Sequence, residues 1–171
     1  MKKITLAIFA ILLSAAAASA QKFAFIDSEY ILKNIPAYES AQDQLDQAST
    51  KWQQEVEAMM NEVKTMYQNY QNELVFLSEE MKVKRENEII EREKEGQELK
   101  RKYFGPEGEL FKKRESLIKP IQDELYNAVK EVADERGYDA IFDKSSSNNL
   151  IYSNSKNDIS DIVLDKLGYS K

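Results

Sequence analysis

The chain has 171 residues, a formal net charge of −6 and neither histidine nor cysteine. Without imidazole or thiol the commonest general bases, sulfur nucleophiles and soft metal sites are excluded, and no glycine-rich phosphate loop or G-x-S-x-G elbow replaces them. The acidic balance excludes a nucleic-acid partner, whose phosphates need a basic face. The sequence therefore predicts no enzyme, cofactor or metal site.

Residues 1–20 read as a cleaved signal peptide. Lys2 and Lys3 supply a basic start, Ile4 to Leu13 an apolar run, and Ala18-Ser19-Ala20 the small residues of a cleavage site. Removing them leaves 22 basic and 30 acidic residues, a net charge of −8. No later stretch is apolar enough to span a bilayer, so the mature chain is expected to be exported and soluble. Packing or association, not disulfides, must hold it. Residues 21–35 then form a strand and a short helix. Lys22 to Asp27 is aromatic and branched, and Ser28 is placed to cap a helix over Glu29 to Asn34 that ends on the approach to Pro36.

Residues 36–136 read as a helical hairpin arm. From Tyr38 the apolar positions advance in steps of three and four through Leu45, Trp52, Val56, Val63 and Tyr70 to Leu77, a coiled-coil stripe of period ~3.5. Ser78-Glu79-Glu80 is a helix start, so the chain is predicted to turn near residues 76–78. On the return, Glu79 to Lys102 is a dense charge mixture with little to pack against, held by pairs of a few tenths of a kcal/mol each. Leu110, Leu117, Ile118, Ile121, Leu125, Ala128, Val129 and Val132 then form a firm apolar stripe. The outbound limb, Pro36 to Leu77, has 42 residues and the return limb, Glu79 to Arg136, has 58, or roughly 63 Å and 87 Å as straight helices. Gly105, Pro106 and Gly108 break the longer limb at residues 105–108 and are the candidate hinge. Equal counting from the turn puts the break opposite Lys51, so Trp52 is predicted to pack near Tyr103 and Phe104.

Residues 137–171 complete a body. Gly137 ends the long helix, Tyr138 to Asp143 and Asn149 to Ser153 read as two strands joined by the polar turn Lys144 to Asn148, and Asp158 to Leu167 is a closing amphipathic helix. The fold class is α+β, mainly α, with a small antiparallel β body drawn from both chain ends and a long coiled-coil hairpin. Asp27, Asp139 and Asp143 read as strand-end acids. Met60, Tyr67 and Phe76 lie off the arm's stripe, with Met81 beyond the turn, and are candidates for an adaptable contact surface. So small a β unit has too little core, and association would bury Phe23, Phe25, Ile141, Phe142, Leu150 and Tyr152.

Strand, long hairpin, strands and final helix follow one another behind a signal peptide, and the end of the chain, IKPIQDELYNAVKEVADERGYDAIFD from Ile118 to Asp143 with the NDIS step at Asn157 into the last helix, is distinctive. In these features the chain resembles the Skp (OmpH-like) family of periplasmic chaperones. The resemblance implies a jellyfish-like homotrimer whose arms enclose unfolded outer-membrane β-barrel proteins, hold them without ATP and pass them to an assembly machinery or membrane surface. The best-known members are strongly basic, whereas the outbound limb here carries two basic and seven acidic residues. A positive cavity and a lipopolysaccharide site therefore do not carry over. The other reading of the residues is an exported coiled-coil adaptor that uses its arm to bind one folded partner.

Overall fold

The computed structural model describes residues 21–146 and 150–169, so the expected signal peptide and Asn149 lie outside the described residues. Two compact units divide the chain: a body from both chain ends, through Ile35 and from Glu124 onward, and an arm of Pro36–Asp123.

In the body, β1 (Phe23–Ile26) is followed by α1 (Ser28–Lys33). Asp27, not Ser28, caps α1: its carboxylate accepts the Tyr30 N–H. The Ser28 hydroxyl is engaged instead with the carboxylate of Asp143 at 2.6 Å. β1 pairs with β2 (Ala140–Asp143) in parallel, with Phe23 opposite Ala140 and Ile26 opposite Asp143. This corrects the antiparallel expectation, and the cause is the route of the chain. The last turn of the long return helix ends beside the start of β1, where Lys22 Nζ donates to the Arg136 carbonyl and the Lys22 N–H to Asp139. The chain thus enters β2 from the end at which β1 began, as a parallel pair with a long crossover requires.

The second expected strand is also corrected: Leu150 to Ser153 form none. One reason lies in the occupied edge of β1, where Phe25 bridges to Asp158 and its carbonyl accepts the Ile159 N–H. The closing helix, α5 once the arm helices α2 to α4 below are counted, covers Ser160–Lys166 and starts two residues later than expected. The Asp158 carboxylate accepts from both the N–H and the hydroxyl of Ser160, holding those residues outside the helix. Ile31, Val132 and Val163 are the fully buried large side chains of this body, with Ala24, Ile159 and Leu164 beside them in burial.

In the arm, α2 (Pro36–Glu73) begins at proline, whose missing N–H costs nothing in a first turn. A 3-10 turn over Leu74–Phe76 and the Ser78 cap, which accepts the Met81 N–H, reverse the chain into α3 (Glu79–Phe104). None of the stripe residues from Tyr38 to Leu77 is exposed, so the predicted seam is the packed one. The charged limb packs more closely than its composition suggested. Ile89 and Gly96 are buried, and Leu99 and Tyr103 continue the same face. The break lies at residues 105–108, before α4 (Glu109–Arg136). Gly105 leaves α3 while its N–H still bonds the Arg101 carbonyl, and Gly108 closes the turn onto Gly105. A side chain at Gly105 would meet the Arg101 carbonyl oxygen at 2.4 Å, and one at Gly108 the Tyr103 carbonyl oxygen at 2.7 Å. Only glycine lets the backbone come so close. Beyond Pro120, which α4 contains, its buried stripe continues into the body through Leu125, Ala128 and Val132, and Gly137, at φ 65°, ends it.

Candidate functional site

The carboxylates singled out in the sequence serve structure: Asp27 caps α1, Asp139 holds Lys22, and Asp143 holds Ser28 and Ser145. Partial burial acts to raise the pKa of Asp143, yet hydrogen bonds from Ser28 and Ser145 outweigh it and hold the carboxyl below its usual range. Asp158 follows the same pattern, burial being outweighed by bonds from Lys144 and Ser160. The ammonium of Lys144 lies 2.6 Å from Asp158 and 3.6 Å from Asp27, and chiefly the Asp158 bond raises its pKa. Among the described residues no cluster of acids could hold a metal ion, and no helix is long and apolar enough to cross a membrane.

Among the described residues each unit presents an apolar surface. On the arm, α2 and α3 enclose an open groove of about 930 Å³. Val63, Tyr67, Ile89 and Ile90 supply its apolar lining, with Met60 and Leu74 at its two ends along α2. Helical spacing explains why Ile89 and Ile90 diverge. Adjacent residues point about 100° apart, so Ile89 enters the seam while Ile90 stays 62 % exposed. Tyr67 is 55 % exposed, Met60 is half-buried, and Phe76 and Met81 lie at the tip, Phe76 being 84 % exposed. The structure therefore brings Met60 and Tyr67 to one groove and leaves Phe76 and Met81 outside its lining.

Polar ties fasten the seam beneath the groove. The Tyr70 hydroxyl donates to Glu86 at 2.5 Å, and that bond, with burial second, pushes the phenol pKa up to about 12. Arg92 reaches across to Glu62 and along its own helix to Glu95, both at 2.6 Å. Nearer the break the Tyr103 hydroxyl donates to Glu55, and its ring stacks on Trp52 with centroids 5.0 Å apart and planes 9° from parallel. Phe104 stands edge-on to Tyr103 at 6.4 Å. The predicted Trp52–Tyr103 contact is thus present. Sequence reading missed Ile90 and Val75, the latter 82 % exposed beside Phe76. The Ile89-Ile90 doublet was the available signal for the first, since one seam cannot take both.

On the body, Phe23, Phe25 and Phe142 share one face of the β pair, their rings 6.0 and 5.8 Å from Phe142. Phe23 and Phe142 are 43 % and 49 % exposed. Ile141 alternates to the opposite face, beside buried Ala24. Leu150 is half-buried and Tyr152 exposed in an extended segment without strand pairing, and Ile151 between them, missed in the sequence, is fully exposed.

A family model described as "Outer membrane protein (OmpH-like)" matches residues 22–167. A search of the curated proteins finds no match.

Proposed function

Because the chain belongs to the OmpH-like family, whose members are chaperones for outer-membrane proteins, we propose that it is an ATP-independent holdase of the periplasm. It holds unfolded outer-membrane β-barrel proteins in a cavity between arms and prevents their aggregation until an assembly machinery or the membrane receives them. The observation that carries this reading is the open apolar groove on the arm, with Tyr67 and Ile90 left half in water. Apolar surface of that kind on a water-facing arm marks a place where other polypeptide binds. Met60, Tyr67, Phe76 and Met81 are the proposed client contacts.

The body is proposed to assemble as a homotrimer through Phe23, Phe25, Phe142, Leu150 and Tyr152, with Ile151 added, while Ile141 supports the sheet from behind. An exposed aromatic face favours association. Many weak contacts within a space closed by several arms retain a chain that no single strong site would hold. The segment at Gly105, Pro106 and Gly108 is proposed to set the angle of each arm.

The seam that stays closed as far as Leu77 is the one observation favouring the adaptor reading, in which a stiff arm grips one folded partner. One experiment separates the two. Light-scattering mass of the mature protein is measured alone and after dilution of a urea-unfolded outer-membrane β-barrel into it. A trimer that becomes a soluble complex with one client supports the holdase. A monomer or dimer that leaves the client to aggregate refutes it and directs the search to a folded partner.

A further inference from the structure

We infer that the arm groove seats an extended segment, about six residues long, whose alternate side chains are apolar and whose remaining side chains are basic. This rests on the chaperone reading above and names what its arm selects. The length comes from the lining, which runs along α2 from Met60 to Leu74. Fourteen helical steps span roughly 21 Å, which about six residues cover at ~3.4 Å each in extended form.

The extended form follows from the rims. Lys64, Gln68 and Gln71 stand on the α2 side of the apolar floor, and Glu86 and Glu93 on the α3 side. A helical occupant satisfies its own backbone and would need only the floor. An extended one brings unpaired N–H and C=O groups that must find partners. Glutamine amides donate and accept, carboxylates accept N–H groups and an ammonium donates to carbonyls. Floor and rims together match a chain that turns every second side chain down.

Charge gives the basic preference. Among the described residues Glu93 makes no ion pair and Glu86 is bonded by the Tyr70 phenol alone, so neither is matched there by a cation. Lys64 is the one basic residue of the lining. Over the same stretch α2 adds Glu62 and Glu73, which pair with Arg92 and Arg85 of α3, and α3 itself carries eight acidic and eight basic residues, so Glu86 and Glu93 against Lys64 set the sign of the lining. A segment rich in lysine or arginine is drawn to this groove, and an acidic one is repelled.

The test uses the intact mature protein and three labelled ten-residue peptides, read by fluorescence anisotropy at low salt. One alternates leucine, valine and tyrosine with lysine, the second replaces lysine by glutamate, and the third rearranges the first into a helical apolar period. The alternating lysine peptide is expected to bind at least about fivefold more tightly than either other peptide. Ile90→Asp, at an exposed position, should weaken it about tenfold with thermal unfolding unchanged, and Glu93→Lys should narrow the gap to the glutamate peptide. Equal binding of the three peptides, or wild-type binding by both variants while wild-type protein still keeps an unfolded β-barrel soluble, overturns the inference and leaves the holdase standing. Failure of the wild-type protein to keep that barrel soluble overturns both.

Discussion

Gly96 and Gly108 lie in the same arm, and their neighbours give them opposite expected responses to a methyl group. A Cβ at Gly96 would meet the Met60 sulfur at 2.9 Å and Met59 Cγ at 3.6 Å. The thioether is the free end of a flexible side chain and can swing aside, while alanine recovers about 1 kcal/mol of helix propensity. Gly96→Ala is therefore expected to stabilise by up to ~1 kcal/mol, and Gly96→Leu to destabilise. At Gly108 the obstacles are the backbone carbonyls of Tyr103 and Lys102, at 2.7 and 2.9 Å, and cannot yield. Gly108→Ala should cost about 1–3 kcal/mol, and urea unfolding of the three variants checks the set. In the body, Asp143 and Asp158 have folded pKa values below their ordinary ones. Their contribution to stability is present above the unfolded value near ~3.9 and is lost as pH falls through the folded values. Lys144, raised, contributes below about 10.4 and loses its share as pH rises through its folded value. Unfolding midpoints should be level across neutral pH and fall below about pH 4. Ser28→Ala, which removes the hydroxyl bond to Asp143 and leaves the backbone N–H bond, should lower the neutral plateau by ~1 kcal/mol and flatten the acid decline.

At the scale of elements the arm rests on a seam with named ties, and the Trp52–Tyr103 stack at the break is one that light can read. Tyr103→Ala should shift the emission of Trp52, the only tryptophan, to the red and open it to iodide, and an unchanged spectrum would mean that the stack does not persist in solution. This contact is legible in the sequence because hairpin geometry is arithmetic: equal counts from the Ser78 cap put residue 104 opposite residue 52, with Tyr103 next to it. The α2 seam is legible for a related reason, since a strict three-and-four spacing leaves one face to bury. Strand direction is not. Parallel or antiparallel pairing depends on the end at which α4 delivers the chain, and no local pattern records that. Nor is the packing of α3 legible, because it rests on Gly96, whose missing side chain admits Met59 and Met60, and on Arg92, which spans two helices with a charge that composition counts as surface. Of the candidate site residues, Met60 and Tyr67 are found by leaving the stripe, while Ile90 stands in a segment that reads as charge.

For the molecule as a whole, the proposed assembly has a direct test at the aromatic face. Phe142→Glu puts a carboxylate between Phe23 and Phe25 at a position already half in water, so the body should still fold while the light-scattering mass drops to that of a monomer. A trimer that survives the change would place the association elsewhere. The parallel pairing has one more consequence, in the order of folding. Lys22 and its partner Asp139 are 117 residues apart, and closing a flexible loop of that size costs roughly 4 kcal/mol of chain entropy. The arm helices, built on local contacts, form in microseconds and shorten the loop before the strands meet. During synthesis β1 emerges long before β2, with Phe23 and Phe25 lacking the partner strand that later flanks them. A protein proposed to shelter unfinished β-strands thus begins as the owner of one, and its own nascent β1 is the first aggregation hazard it must survive.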